Sequence, residues 1–275
     1  MKTKSTHKSS YFAGVILVFV GAVAFAGKAV LVRYNYLHYH VDTISLLALR
    51  MLFSAPFYLG ILVFKNIKDT TRPSLSNKEW ITMVLIGIVG YYLAALFDFW
   101  GLNYVTASVE RLILFLYPTI VVIVSAIFLK KKITKIQYLA LIVTYLGVFF
   151  SFIPDLKIGM QKDLLVGSFL VFLSAFTYAL YLIGSGEMIP RIGSLRFTCY
   201  AMLISTAIVM GHFFLTKHPS LFSYPKEAYL LSFVMALFTT VIPSFMISDG
   251  IKKIGSGNAS IIGSIGPVAT IIMAN

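Results

Sequence analysis

The sequence predicts an all-α integral membrane protein made of two inverted five-helix repeats, and three observations support this fold class. Hydrophobic residues make up 59% of the 275 residues and charged residues only 12%, with a mean hydropathy of +0.88. Soluble domains carry about a quarter charged residues. The apolar residues form runs of about 20, the length that crosses a bilayer. One segment of the first half recurs in the second half.

Nine apolar runs define the predicted spans. The first repeat, residues 1–154, contains runs at 11–32, 43–64, 80–100, 107–129 and 133–153. The second repeat, residues 155–275, contains runs at 164–184, 195–215, 228–248 and 257–275. The run at 11–32 is too long for a signal peptide, so we expect it to be retained as a span. The second repeat has one span fewer, and we expect a tenth span that this chain lacks.

The recurring segment gives the relation between the halves. Residues 101–121 align without gaps with residues 250–270 at a constant offset of 149, which matches Gly101 with Gly250 and Pro118 with Pro267. Five spans separate the two copies, and an odd number places them in opposite orientations in the membrane. Both prolines remove a backbone hydrogen bond from their helix. They are hinge candidates, although prolines in membrane helices also occur for packing alone.

The loops between the spans predict the orientation. With the N-terminus in the cytoplasm, the cytoplasmic loops and tail hold roughly three times as many Lys and Arg residues as the other side, in agreement with the positive-inside rule. These cations account for the formal net charge of +13, so we expect no nucleic-acid partner. The single cysteine, Cys199, lies in an apolar run, and no metal-ligand spacing is present. We expect no metal, cofactor or catalytic residue.

Ionisable residues inside the predicted spans are the main site candidates. Charges in a span are costly and are functional candidates by default. Five of them lie at a similar depth in the first half: Lys28, Arg50, Asp98, Glu110 and Arg111. Tyr117, beside Pro118, is a further candidate. Three cations against two anions leave one positive charge, which suits a carboxylate or phosphate. Two interpretations stay open, a substrate or proton-coupling site and a closed network of salt bridges.

Arg111 and the aromatic residues of the third span also have a simpler interpretation than a role in a functional site. Arg111 lies near one end of its predicted span, so its side chain can instead extend to the lipid headgroups. The aromatic residues around the third span, Tyr91 and Phe99 among them, are typical of an interfacial aromatic belt, with a substrate-lining wall as the alternative.

Two segments carry a family resemblance. LALRMLFSAPFY at 47–58 and ERLILFLYPTIVV at 110–122, together with two repeats of five short spans, resemble the EamA branch of the drug/metabolite transporter superfamily. The resemblance covers nearly the whole chain. It implies an inner-membrane carrier or exporter of small metabolites, often amino acids, with ten helices and both ends cytoplasmic. The chain stops before the acidic LGE-like end of the second repeat, and Lys130 to Lys132 stand where the first repeat often carries a similar turn.

We therefore expect a multi-pass secondary transporter of the bacterial inner membrane, not an enzyme. It would export a small polar metabolite, amino-acid-like or anionic, by alternating access. The alternatives are an integral membrane enzyme acting on lipid-linked substrates and a non-transporting membrane scaffold. The expected partners are a small-molecule substrate and the lipid bilayer, with a homodimer left open.

Overall fold

The computed structural model describes residues 2–68, 75–152, 163–216 and 221–266, together with Ala269 and Met273. Every regular element in this part of the chain is helical. In chain order the helices are α1 Lys2–Tyr39, α2 Thr43–Lys68, α3 Asn77–Gly87, α4 Ala94–Gly101, α5 Ala107–Leu114, α6 Tyr117–Phe128, α7 Lys135–Phe152, α8 Leu164–Ile192, α9 Ser194–Leu215, α10 Lys226–Ala236, α11 Ile242–Ile254 and α12 Ser256–Gly263. Two π-helical segments, Ile88–Leu93 and Leu237–Val241, connect α3 to α4 and α10 to α11.

Seven helical stretches of the described chain are long and apolar enough to cross a membrane: Ser9–Tyr39, Thr43–Lys68, Asn77–Gly101, Val109–Phe128, Leu164–Ile192, Ser194–Leu215 and Lys226–Ile254. They coincide with seven of the nine predicted spans. The predicted fifth span corresponds to α7. The predicted ninth begins with α12, and most of its remaining residues lie outside the described part. The helices that contain the first and sixth predicted spans, α1 and α8, are longer than the apolar runs, because each helix continues through polar residues. In α1 one of these residues is Asn35, whose side-chain amide donates to Leu31 O at 2.9 Å.

The outer surface of the bundle is apolar and its interior contains buried polar groups. Large side chains such as Ile67, Phe128 and Leu165 are more than two-thirds exposed. Serines, threonines and charged residues are buried between the helices, and several of the hydroxyls bond to a carbonyl of their own helix, as Ser54 does to Arg50 O at 2.6 Å. This distribution is the reverse of that in a soluble protein and fits a surface covered by lipid.

The fourth span is interrupted immediately before Pro118. Helix α5 ends at Leu114 and α6 begins at Tyr117. At the junction the Phe115 N–H donates to Arg111 O and the Leu116 N–H donates to Ile113 O, both at 3.1 Å, so the spacing of the hydrogen bonds tightens by one residue. Proline has no N–H and its ring collides with the preceding turn, which explains the break. Pro267, the matching hinge candidate, lies outside the described residues.

Several helix boundaries occur in pairs that are 149 residues apart. Helices α3 and α10 begin at Asn77 and Lys226, the π-helical segments begin at Ile88 and Leu237, and α5 and α12 begin at Ala107 and Ser256. This is the offset of the repeated sequence segment.

The packing is also reciprocal, because α1 packs against α11 and α8 packs against α4. At the first contact a Cβ on Gly250 would lie 2.3 Å from Val18 Cγ2 and 3.2 Å from Gly14 O. At the second, a Cβ on Gly101 would lie 2.6 Å from Val171 Cγ2 and 3.2 Å from Gly167 O. Both crossings therefore require a glycine for close approach of the backbones.

Candidate functional site

The five ionisable candidates come together in the interior of the bundle. Lys28 lies on α1, Arg50 on α2 and Asp98 on α4, while Glu110 and Arg111 lie on α5. None of the five is more than 4% exposed. The headgroup-directed interpretation of Arg111 is therefore wrong, since its helix turns the side chain into the bundle instead of toward the lipid.

Four of the five charges form two ion pairs. Lys28 Nζ donates to Asp98 Oδ2 at 2.5 Å, and Arg111 Nε lies 3.0 Å from Glu110 Oε2. The second pair lacks hydrogen-bond geometry, and Nε and Nη2 of Arg111 have no hydrogen-bond partner. The first pair is closed, whereas the second leaves donors free.

Among these five residues, Arg50 is the cation for which the described part of the chain offers no ion pair. Within the described residues it makes no ion pair, and its guanidinium lies over the ring of Phe99 with Cζ 5.0 Å from the ring centroid. Its Nε and Nη2 have no hydrogen-bond partner although the side chain is only 2% exposed. These two atoms form one edge of the guanidinium, and the N–H groups of this edge can donate to both oxygens of one carboxylate.

The two carboxyl groups also lie close to each other. Asp98 and Glu110 are near enough to influence each other electrostatically. Asp98 Oδ1 and both Glu110 carboxyl oxygens have no donor in the described structure. A proton shared by the pair would remove the repulsion between two buried carboxylates.

Two small cavities adjoin this cluster. One, of about 30 Å³, is lined by Arg111 and Tyr117 together with residues of α1, α8, α11 and α12. The other, of about 20 Å³, is lined by Lys28, Arg50 and Tyr91. Both reach Phe25, Leu114 and Tyr178, so they meet at the same wall. Their volumes match one or two waters rather than a metabolite. The bundle is thus in a closed arrangement around the cluster.

The described residues of the second half contribute tyrosines rather than charges to this cluster. Tyr181 OH donates to Tyr91 OH at 3.0 Å, and the ring of Tyr178 lies 5.1 Å from that of Tyr117. Sequence reasoning missed Tyr178 and Tyr181, because a tyrosine in an apolar run is equally typical of ordinary packing. The interfacial-belt interpretation is wrong for Tyr91 and Phe99, which are buried beside the cluster.

The π-helical segment explains the position of Tyr91. Segment Ile88–Leu93 contains an extra residue per turn, and Gly90 within it lies against the ring of Tyr181, where an added Cβ would come within 2.3 Å of Cδ2. This contact brings the Tyr91 and Tyr181 rings to 4.7 Å centroid to centroid. π-Helical turns of this kind often occur at functional sites.

Other chemistries have little support in the described chain. No group of three His, Cys, Asp or Glu side chains is arranged to hold a metal ion there. Cys199 is a buried free cysteine. The arrangement provides instead cationic donors, an acidic pair and hydroxyl-bearing rings around a central space.

The chain is similar to known transporters in sequence and to a solved structure in fold. The model of the EamA-like transporter family matches two segments, residues 12–153 and 165–275. The chain is 30% identical to the uncharacterized transporter YcbK of Bacillus subtilis, over 94% of this chain and 83% of that protein. It is 28% identical to the uncharacterized Bacillus subtilis transporter YyaM, over 80% and 72%. The uncharacterized inner membrane transporter YicL of Salmonella typhimurium is 21% identical over 95% and 86%. A solved crystal structure superposes with a TM-score of 0.72 at 15% identity, covering 94% of this chain and 86% of the other, which supports the fold.

Proposed function

Because the chain belongs to the EamA-like transporter family, we propose that it is a secondary transporter that carries a small carboxylate-bearing metabolite through the centre of the bundle. The substrate class is an amino acid or a simple organic anion. The observation that carries this proposal is Arg50, a buried guanidinium whose Nε and Nη2 have no hydrogen-bond partner and which makes no ion pair with any carboxylate of the described residues.

The energetics of Arg50 favour a ligand. Removing a charge from water costs several kcal/mol even after relaxation. The cation–π contact with Phe99 offsets only about 0.5–2 kcal/mol of this cost. A carboxylate bound to Nε and Nη2 would supply a charge-assisted hydrogen bond at each atom, each worth about 1.5–3 kcal/mol. Arg111, whose Nε and Nη2 are also without a hydrogen bond, is the second binding candidate.

Alternating access is the proposed mechanism. The paired helix boundaries, the two reciprocal glycine crossings and the two matches of the family model support an inverted duplication with the site at its centre. The break before Pro118 lies beside Tyr117, which lines the central space, so bending there would open or close the site. We place the protein in the bacterial inner membrane with its N-terminus in the cytoplasm. Export is the direction that the family resemblance implies.

Proton coupling belongs to the same proposal. Asp98 pairs with Lys28 and Glu110 pairs with Arg111, and the two carboxyl groups influence each other electrostatically, so a proton on either one changes the net charge next to the substrate position. We expect Glu110→Gln to transport substrate without moving protons. The measurement is internal pH in proteoliposomes that contain a pH-sensitive dye, and proton movement equal to that of the unmodified protein would remove Glu110 from the coupling step.

The transport proposal is tested in proteoliposomes. Purified protein is supplied with a mixture of amino acids and small carboxylic acids, and the exchanged compounds are identified by mass spectrometry. We expect Arg50→Gln to reduce the exchange of the selected compound by at least about tenfold, the loss of one charge-assisted hydrogen bond. The control is Arg191→Gln, which removes a 62% exposed arginine. Full exchange by Arg50→Gln at normal abundance would refute the substrate role.

A further inference from the structure

A second polar cavity lies away from the central cluster, at the end of the bundle predicted to be cytoplasmic. Its volume is about 210 Å³, several times that of the central cavities. It lies where the end of α6, the connection from α6 to α7 and the start of α12 meet. Among the side chains on its wall are Ser125, Lys131, Lys132, Gln137 and Asn258.

The start of α12 is open toward this cavity. Residues Gly255 to Asn258 line it, and no side chain caps the helix. The uncapped N–H groups of the first turn and the positive end of the helix dipole favour an anion.

The matching helix in the first half shows a different arrangement. At the start of α5, Thr106 Oγ1 accepts a hydrogen bond from the Val109 N–H at 3.3 Å, and Glu110 adds a negative charge in the first turn. At the offset of 149, the corresponding residues in α12 are Gly255 and Ala259. The cap and the acid are therefore both missing from α12, which leaves its N-terminus for an outside ligand.

A buried hydroxyl gives a second, independent indication. Ser125 Oγ has no hydrogen-bond partner although the residue is only 6% exposed, and it lines the cavity. A buried hydroxyl without a partner is costly unless a ligand uses it. Lys132 makes no ion pair within the described residues, whereas its neighbour Lys131 is paired with Glu187 at 2.5 Å. Across the cavity, Gln137 Nε2 donates to Asn258 Oδ1 at 3.1 Å, which fixes the start of α12 against α7.

The geometry points to a second anion site in this cavity, which binds a small ligand through a carboxylate or phosphate group. The first-turn amides of α12, the Ser125 hydroxyl and the Lys132 ammonium are its donors. The ligand group comes either from a free anion or from the headgroup of an anionic lipid, because the connection from α6 to α7 lies at the predicted membrane surface. The site uses none of the central charges, so it stands independently of the proposed transport role of Arg50.

The test measures binding of inorganic phosphate to the purified full chain by calorimetry in phosphatidylcholine nanodiscs. We expect saturable binding that Lys132→Gln weakens about tenfold and that Ser125→Asp abolishes by placing a carboxylate in the cavity. Lys132→Arg should bind nearly as well as the unmodified protein. Lys135→Gln removes an exposed lysine outside the cavity; it is the matched control and should bind phosphate normally.

The outcomes separate the two ligand sources. Weaker phosphate binding in phosphatidylglycerol nanodiscs identifies a lipid headgroup at the same site, and equal binding in both lipids identifies a free anion. No saturable binding in phosphatidylcholine, or equal loss in Lys132→Gln and Lys135→Gln, overturns the proposal. If Ser125→Asp does not yield monodisperse protein, the three lysine variants decide alone.

Discussion

At the level of single residues, the central charges divide into a closed pair and groups that remain open. Lys28 Nζ bonds to Asp98 Oδ2 at 2.5 Å, whereas Nε and Nη2 of Arg50 have no hydrogen-bond partner within the described residues. A closed buried pair contributes mainly through the cost of breaking it. The structural interpretation therefore applies to Lys28 and Asp98, and the substrate-binding interpretation applies to Arg50.

Removing one partner of the closed pair should destabilise the fold. We expect Lys28→Met to lower the free energy of unfolding by about 3–5 kcal/mol, because Asp98 is left charged and buried. The double variant Lys28→Met/Asp98→Leu should recover most of this loss. Thermal unfolding in detergent measures both. The control is Lys131→Gln, which breaks an exposed pair and should cost no more than about 1 kcal/mol.

The sequence predicted which residues form the cluster, but not how they pair. Counting apolar residues from the ends of each run gives depth, and depth alone brings the five ionisable residues to one level. Pairing depends on how each helix is rotated about its axis, so Arg111 had several equally good partners in the sequence. Tyr178 and Tyr181 carry no charge that would mark them, and only the contact between α8 and the π-helical segment reveals their position.

At the level of elements, close crossings and interrupted helices shape the bundle. Proline predicted the interruption of the fourth span. The π-helical segments at Ile88–Leu93 and Leu237–Val241 have no comparable signal, because their extra residue per turn is fixed by tertiary packing. The sequence contains the glycines of the two crossings, but it does not predict which helix packs against each of them.

The crossing of α1 and α11 should not tolerate a methyl group. We expect Gly250→Ala to destabilise the protein by about 1–3 kcal/mol, because the new Cβ collides with Val18. Gly211→Ala is the matched control, since no atom lies within 4 Å of its Cβ position. Thermal unfolding of the two variants compares them, and similar losses in both would show that the close approach is not required.

The helix break before Pro118 leads to a prediction about the rate of substrate exchange. Pro118→Ala should allow α5 and α6 to join through a regular hydrogen bond and should slow exchange in proteoliposomes while substrate affinity stays the same. Exchange rate and equilibrium binding are measured on the same preparation. An unchanged rate would assign Pro118 to packing, and a parallel loss of affinity would assign it to the site.

At the level of the whole molecule, the paired boundaries and reciprocal crossings favour two units related by inversion. The sequence indicated this relation through Gly101, Pro118 and their counterparts. Seven of the predicted spans, which coincide with the seven candidate spans of the described chain, follow from length and hydropathy. The closed arrangement around the cluster does not, because it depends on side-chain packing across both halves.

The proposed orientation can be tested with single cysteines. Lys131→Cys should be protected from a membrane-impermeant maleimide in spheroplasts, and Lys226→Cys should react, because they lie at opposite predicted surfaces and both lysines are exposed. Cys199 is fully buried and serves as an unreactive background. The reverse labelling pattern would mean that the N-terminus is outside.

The central claim is that Arg50 binds the carboxylate of the substrate. Its most direct test is the ratio of proteoliposome exchange rates for the selected acid and for its uncharged amide, measured in the unmodified protein and in Arg50→Gln. We predict that the unmodified protein prefers the acid by about tenfold or more and that Arg50→Gln loses this preference, since one charge-assisted hydrogen bond accounts for that difference. An undiminished preference for the acid in Arg50→Gln would contradict the claim.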